Sequence, residues 1–386
     1  MAVVTGTRDI NTIGTTKLKI DMSEKIALLD PSAAPFVTFL KRSKANREPA
    51  YSPKFEWMED ALGGRWDALD MAGNAAADAT KIIVDTGALF SVGDLVKVPR
   101  TGEVFRVTAM DPDGDNADEM TVVRGFGTTA AAIINNNDPL VIIGNASEEG
   151  AGTRTLKSTT ETGVYNYTQI FKTPFGITNT AKASRYYGGS DFAYQSRKKG
   201  IEHTIDIARA FLFGEKKLST DGSHPIRGTA GLLSFLSANN HDASGALTQD
   251  EFDQYICELV FLHGRKEKLG LCSARVLSVI NGWAMGKLKI DQGEDTFGLA
   301  VTTYISPFGK LSLVHEPLFE GAVYGGYAAF IDVENVKYRP LSGRDTTLET
   351  NIQANDADQR IDQYITEAGL EVRLPETHAL LTGVTS

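Results

Sequence analysis

Residues 20–57 read IDMSEKIALLDPSAAPFVTFLKRSKANREPAYSPKFEW, a segment too broken to fold on itself and too apolar to stay in water. Ile26, Leu29, Phe36, Phe39 and Leu40 fall in two short clusters rather than on one long helical stripe. Asp30-Pro31 and Pro35 interrupt any continuous helix, because proline is accepted in a first turn and disruptive further in. The expectation is two helical turns with a kink, followed by an extended stretch held by Pro49 and Pro53. Such an arm cannot bury its own apolar groups. Either the body of its own chain covers them or a neighbouring copy does. Trp57 and Trp66, further along, are anchors by default, since an indole buries a large area and needs only one acceptor.

The 386 residues suffice for two or three domains. Composition is that of an ordinary globular chain, 42% hydrophobic and 23% charged. A formal charge of −10 argues against a direct grip on nucleic acid, which needs a clustered basic face. Cys257 and Cys272 are too few for a disulfide framework or a zinc site, and read as buried free thiols. The first residues, MAVVTGTRDINTIG, lack the apolar run of a secretory signal, and no stretch of about 18 uncharged apolar residues offers a membrane span. The expectation is a soluble protein made in the cytoplasm.

From about residue 79 to 150 the pattern is all β. TKIIVD, DLVKVP, EVFRVTAM, EMTVVRG and PLVIIG are short β-branched runs separated by turn residues, which predicts a small barrel or sandwich inserted into a larger domain. The flanking ALGGRWDALDMAGN and SEEGAGTRTLKSTTETGVYN look like the two legs of a long excursion. A two-stranded ribbon is barely stable alone in water, so these legs need a surface. YTQIFKTPFGITNTAKA predicts a pair of short strands around Pro174. Ser190 then caps a long helix that Gly214 ends, with Ile201, Ile205, Ala208 and Leu212 at helical spacing. Thr248 and Glu251 form a capping box for a second helix, whose shared face holds Phe252, Tyr255, Ile256, Leu259 and His263. ARVLSVI is expected as a buried strand, and Asn281 as the cap of a third helix, residues 282–289. LAVTTYISPFGKLSLVHEP reads as a hairpin with Pro307 and Gly309 in its turn. Late strands follow. The fold class is α+β, with helices and strands segregated.

Candidate chemistry is sparse. DPDGDNADE fails as a calcium loop, because Gly114 is its fourth position and Val122 its twelfth, and it reads as a solvated hairpin loop. RGFGTT lacks the third glycine or the Lys-Ser/Thr pair of a phosphate cradle and reads as a turn. The six histidines show no ligand spacing. His263 is expected in a core or capping role. His315-Glu316 ends a strand without a third ligand, so it is not a metal site. No nucleophile, base and orienter come together. No catalytic residue, cofactor or metal is therefore assigned, and the chain reads as a non-enzyme.

In this order, PSAAPFVTFL leading to YSPKFEWMEDAL, the ISPFGKLSLVHEP hairpin, IDVENVKYRPLSGRDT and the closing YITEAGLEVRLPETHALL resemble a major capsid protein of tailed bacteriophages, built on the Hong Kong 97 fold. The resemblance runs from about Ile20 to Leu381. It implies an N-terminal arm over 1–56 and an extended loop over 57–168 that lies on a neighbouring subunit and carries the β insertion. It further implies a peripheral domain over 169–232 with a spine helix at 191–213, an axial domain over 233–332, and a return to the peripheral domain over 333–386. The implied function is self-assembly of hexamers and pentamers into an icosahedral shell around double-stranded DNA, which the acidic wall would not bind sequence-specifically.

No fused scaffolding segment is visible ahead of the arm, so a separate scaffolding protein is expected, with a portal protein and, as an option, a decoration protein. No covalent cross-linking set is evident, so a noncovalent shell is expected. The interface candidates are the arm anchors Ile26, Leu29, Phe36, Phe39 and Leu40 together with Trp57 and Trp66. The alternatives are another phage structural part, such as a decoration or tail protein, and a cytoplasmic hydrolase with a β insertion.

Overall fold

The computed structural model describes residues 35–110, 116–184, 191–287 and 302–385. The chain divides into two compact units, one of Met1–Trp57 with Val164–Ser386 and one of Met58–Gly163.

The larger unit is built on two sheets. One has six strands in the spatial order Asn240–Gly245, Ala379–Val384, Ala328–Ile331, Glu267–Cys272, Lys310–His315 and Thr302–Ile305. Successive residues of a strand face opposite sides, and here both sides are buried. Leu269, Leu271, Val314, Ala329 and Ile331 join one core, and Cys272, Leu311, Leu313, Ala328 and Phe330 join another. The second sheet is organised by the 14-residue strand Gln359–Val372, which pairs antiparallel with Gln169–Thr178 on one side. On its other side lie Thr347–Glu349 and Val336–Pro340. The long helix Asp191–Phe213 buries His203, Ile207, Ala208, Phe211 and Leu212. Phe211 and Ile207 share the first core with Phe171, Tyr338 and Leu370, so this core belongs to both sheets.

The helix Asp191–Phe213, the capping box of Thr248 and Glu251, and the antiparallel hairpin of Thr302–Ile305 with Lys310–His315 agree with the sequence expectation. Four elements differ from it. ARVLSVI is not a strand; Ala274–Lys287 is one helix running through Asn281. The Ser273 hydroxyl accepts the Val276 N–H at 3.2 Å, and Val276 and Ile280, four apart, are buried. A cap plus helical spacing outweighs the β preference of Val and Ile. The preceding EKLGLC is the strand.

The second helix contains a π turn over Asp253–Cys257, which shifts the buried face to Phe252, Ile256, Cys257 and Val260. Tyr255 and Leu259 are exposed, and His263 lies beyond the helix, exposed. Finally, Gln169–Thr178 passes straight through Pro174 as one strand. It lies at the edge of its sheet, where a missing N–H can face away from the ladder.

The smaller unit carries a six-stranded antiparallel sheet in the order Trp66–Ala68, Pro139–Asn145, Asp94–Lys97, Val104–Met110, Glu119–Val123, Lys81–Ile83. Its outermost strands meet: Leu69 bridges Val84, the Asp70 N–H donates to Ile83 O at 3.0 Å, and the Asp85 N–H donates to Ala68 O at 3.1 Å. The sheet is therefore a closed barrel with its own core of Leu69, Ile82, Val96, Phe105, Val107, Met120, Val122 and Leu140. Five of the strands are those expected. The sixth, Trp66–Ala68, comes from what the sequence presents as a leg. Of the acidic loop, residues 111–115 lie outside the described residues.

Candidate assembly surface

The arm is attached to its own subunit from Pro35 onward. In the helix Pro35–Arg42, the spacing of Phe36, Val37 and Leu40 puts them on one face, and all three are fully buried in the core that holds Phe211 and Tyr338. Phe39 is partly buried against the same core. Lys41 donates to Thr346 Oγ1 at 3.0 Å and lies 5.5 Å from the Tyr338 ring centre. Residues 46–50 then run parallel to Val336–Pro340. Tyr338 N–H donates to Asn46 O at 2.7 Å, and Ala50 N–H donates to Pro340 O at 2.8 Å. The Glu48 carboxylate accepts from Lys337 and Arg339, each at 2.6 Å, and is held down to about 2, chiefly by the Lys337 hydrogen bond.

The ribbon of Lys54–Glu59 and Thr162–Tyr167 follows. Trp57 is buried, its ring centre 6.1 Å from that of Phe55 and 5.9 Å from that of Phe235. Gly369 is required where Phe55 comes in: a Cβ there would lie 2.7 Å from the Phe55 ring and 2.7 Å from Tyr167 O. Asn166, fully buried, donates to Leu370 O at 2.6 Å and Ala230 O at 3.1 Å and accepts the Ala230 N–H at 2.9 Å, which fixes the root of the ribbon.

This corrects the sequence reading of the anchors. Phe36, Leu40 and Trp57, expected as side chains for a neighbour to cover, are covered by their own subunit, and so in part is Phe39. Ile26 and Leu29 lie outside the described residues. Trp66, 62% exposed at the start of a barrel strand, is the one described candidate that its own chain leaves open.

Other large apolar groups are exposed, among them Tyr51 at 85% after the arm helix and Leu262 at 70% in the larger unit. On the legs within Met58–Gly163, Leu62 is 98% exposed, Leu156 88% and Met58 71%. These legs have no sheet partner between residues 60 and 65 or between 146 and 161 among the described residues. Basic side chains pin the second leg to the barrel. Arg154 donates to Asp94 at 2.5 Å and to Val92 O at 3.1 Å; Lys157 donates to Ala88 O at 2.7 Å and also to Phe90 O. A 490 Å³ groove remains, with Leu62, Leu89, Ile142, Arg65 and Arg154 among its lining. With Arg154 and Lys157 engaged within the chain and Leu62 and Leu156 exposed, this surface offers a partner apolar side chains beside polar groups. Sequence reasoning missed Met58, Leu62 and Leu156. The only signal of Leu62 and Leu156 was an isolated large apolar residue in a Gly/Ser/Thr-rich stretch, and Met58 alternates with buried Phe55 and Trp57 on the strand Lys54–Glu59.

The remaining polar clusters hold the fold. His203 donates to or accepts from Thr173 and Thr366 at 2.9 and 2.8 Å, and burial lowers it to about 4. His378, also lowered by burial to about 4, accepts the Asp332 N–H at 3.0 Å. Lys268, fully buried, donates to Asp332 at 3.2 Å and to the carbonyls of His263 and Thr377. Each group is engaged within the chain, and among the described residues no three His, Cys, Asp or Glu side chains are grouped to hold a metal. Cys257 and Cys272 are free and buried.

A protein named as the major capsid protein of Pseudomonas phage PaMx41 is 26% identical over 338 residues, 80% of each chain. Among solved structures, the capsid of a native GTA particle is 11% identical, covers 97% of this chain and 98% of its own, and superposes with a TM-score of 0.51. The capsid of Myoviridae phage XM1 covers 94% of this chain and 96% of its own at 11% identity, with a TM-score of 0.45. The GTA likeness gives the fold: an α+β capsid fold of the Hong Kong 97 type. The family described as SU10 major capsid protein matches residues 4–385, nearly end to end. With residues 35–57 folded onto their own body, two legs without sheet partners and a family match spanning both units, the chain belongs to the SU10 major capsid protein family.

Proposed function

We propose that each copy completes its neighbours by laying its legs on them. The chain is a phage major capsid protein, its copies form the capsid of the virion, and it is a structural protein rather than an enzyme. The reading of how they do so rests on one observation: Leu62 and Leu156, on opposite legs, are 98% and 88% exposed. Burying a leucine stabilises by roughly 1.5–3 kcal/mol, a gain the subunit alone forgoes. In a closed ring every such contact is repeated without leftover edges.

In this reading residues 57–168 form the extended loop and residues 1–56 the arm. Residues 169–232 with 333–386 make the peripheral domain, its spine being the helix at 191–213, and 233–332 form the axial domain of hexamers and pentamers. The shell is icosahedral and noncovalent. It encloses double-stranded DNA and assembles with a separate scaffolding protein and a portal, with a decoration protein as an optional addition.

The test is the pair Leu62→Ser and Leu156→Ser, both at exposed sites. Negative-stain microscopy should find soluble, folded protein and few or no shells. Normal shells from the double variant would remove the legs from the assembly surface.

A further inference from the structure

Glu316 follows the strand Lys310–His315 and is fully buried. Its Oε2 accepts the N–H of Phe36, in the first turn of the arm helix, at 3.3 Å. Its Oε1 accepts the N–H of Leu318 at 3.4 Å. Both bonds are long, and no cation among the described residues pairs with the carboxyl. Burial pushes it up to about 7, against the pull of those two N–H groups. The Glu316 main chain is fixed, its N–H donating to Cys272 O at 2.9 Å and its carbonyl accepting from Phe319 N–H at 3.0 Å. With the main chain held, the carboxyl meets water only if its side chain turns outward or an element covering it moves. The arm helix reaches the carboxyl through the Phe36 N–H on Oε2.

We propose that Glu316 is a proton-operated latch for the first turn of the arm helix. With the carboxyl protonated, Pro35 and Phe36 seat on it. When it ionises, the first turn lifts and water solvates the carboxylate, while Val37 and Leu40 keep the rest of the helix in the core.

Other titratable groups surround the helix, and the Glu316→Gln comparison separates them from Glu316. Beneath it, burial takes His203 of the long helix down to about 4, and Lys41 of the arm helix contributes to that shift. Burial pushes Asp345 up, but Tyr338, the Thr346 N–H, Lys41 and Arg47 hold it below its usual range. Lys41 is lowered by burial, and Arg42 shares its last turn. On the Glu316 side, His315 is exposed, Glu320 faces Arg209 at 3.9 Å at the surface, and the buried Cys272 thiol is pushed up.

Hydrogen exchange over residues 35–42 of the full chain, corrected for intrinsic rates, tests the latch. A carboxyl at about 7 when docked and 4.5 when freed predicts roughly tenfold less protection at about pH 8.5 than at about pH 6. Glu316→Gln should abolish that slope. Phe36→Ala should lower protection at both pH values and keep the slope. A flat wild-type profile overturns the inference, as does a slope surviving Glu316→Gln, which would give the titration to Lys41 or His315. Should Glu316→Gln not fold, carbon NMR of glutamate-labelled wild type decides: no buried carboxyl titrating near neutral pH refutes the latch. The inference does not rest on how the legs are used. Shell counts on the same samples separate the two, since a leg failure leaves the exchange slope in place.

Discussion

The barrel offers a test of what holds a unit closed. Glu103, fully buried, accepts from Arg124 Nε at 2.7 Å and Nη2 at 2.8 Å, and from the N–H groups of Gly125 and Ala132 at 3.1 Å each. Arg124, 6% exposed, also donates to Ala76 O at 2.8 Å and Ala132 O at 2.5 Å. One ion pair thus ties three segments at one place, and the RGFGTT turn exists to make it. Glu103→Ala would leave a buried guanidinium without its counterion and two N–H groups without an acceptor. Breaking a buried pair in this way costs about 3–5 kcal/mol. At about 1.4 kcal/mol per decade, exchange of barrel amides should accelerate by roughly two to three and a half orders of magnitude.

The assay is hydrogen exchange resolved by peptide, comparing residues 94–123 with the long helix Asp191–Phe213 as an internal reference. The barrel peptides should open and the helix should not, since the barrel has its own core. Glu103→Met with Arg124→Met should recover much of the loss, because no buried charge is then left alone. Acid gives a second reading. Burial pushes the Glu103 carboxyl up, but Arg124 and the two N–H groups bring it below its ordinary value. Its contribution is therefore present above the ordinary carboxylate range and fades as pH falls through the lowered value. A Glu103→Ala barrel that exchanges like wild type, or a double variant worse than either single, would refute the reasoning.

The attachment of residues 46–50 should also respond to acid. Glu48, half exposed and held at about 2, adds about 1 kcal/mol or less above its unperturbed 4.5, and the gain is lost as pH falls toward about 2. Exchange over residues 46–50 should rise across that window in wild type and stay level in Glu48→Gln. Salt should promote assembly rather than oppose it: screening weakens the mutual repulsion of subunits carrying −10 each while leaving apolar leg contacts intact. Light scattering against sodium chloride reads this directly, and shells that dissolve with added salt would argue for ion pairs as the main contact.

Much of the fold was legible because its signals are local. Gly214 does stop the long helix, its N–H donating to Ala210 O at 2.9 Å, and the box of Thr248 and Glu251 is formed in full. The barrel strands were legible because each alternates against a core of their own. Closure was not: Trp66–Ala68 is three residues in a glycine-rich stretch, and only its partners Pro139–Asn145 and Val84 define it as a strand. The π turn at Asp253–Cys257 moved a helical face by one position, which no periodicity announces. The assembly surface was the hardest part. Phe36, Leu40 and Trp57 say that they need cover, but whether their own body or a neighbour supplies it depends on distant residues, Tyr338 for the first two and Phe235 for Trp57.

That distribution of cover has a consequence for assembly. Contacts of residues 35–57 with their own body form at a rate and strength independent of protein concentration, because both partners are in one chain. If the legs are covered by neighbours as proposed, the exposed Leu62 and Leu156 gain nothing until a second copy arrives, and their contribution rises with concentration. Placing most described arm anchors in the first class and the legs in the second separates folding from association: a subunit can finish its core before it becomes adhesive. On the second leg two cations are turned inward, Arg154 to Asp94 and Lys157 to the carbonyls of Ala88 and Phe90. The surface left outward is weakly sticky once and strongly so only when repeated around a ring, which is the behaviour a shell needs to reject misplaced subunits and keep closed ones.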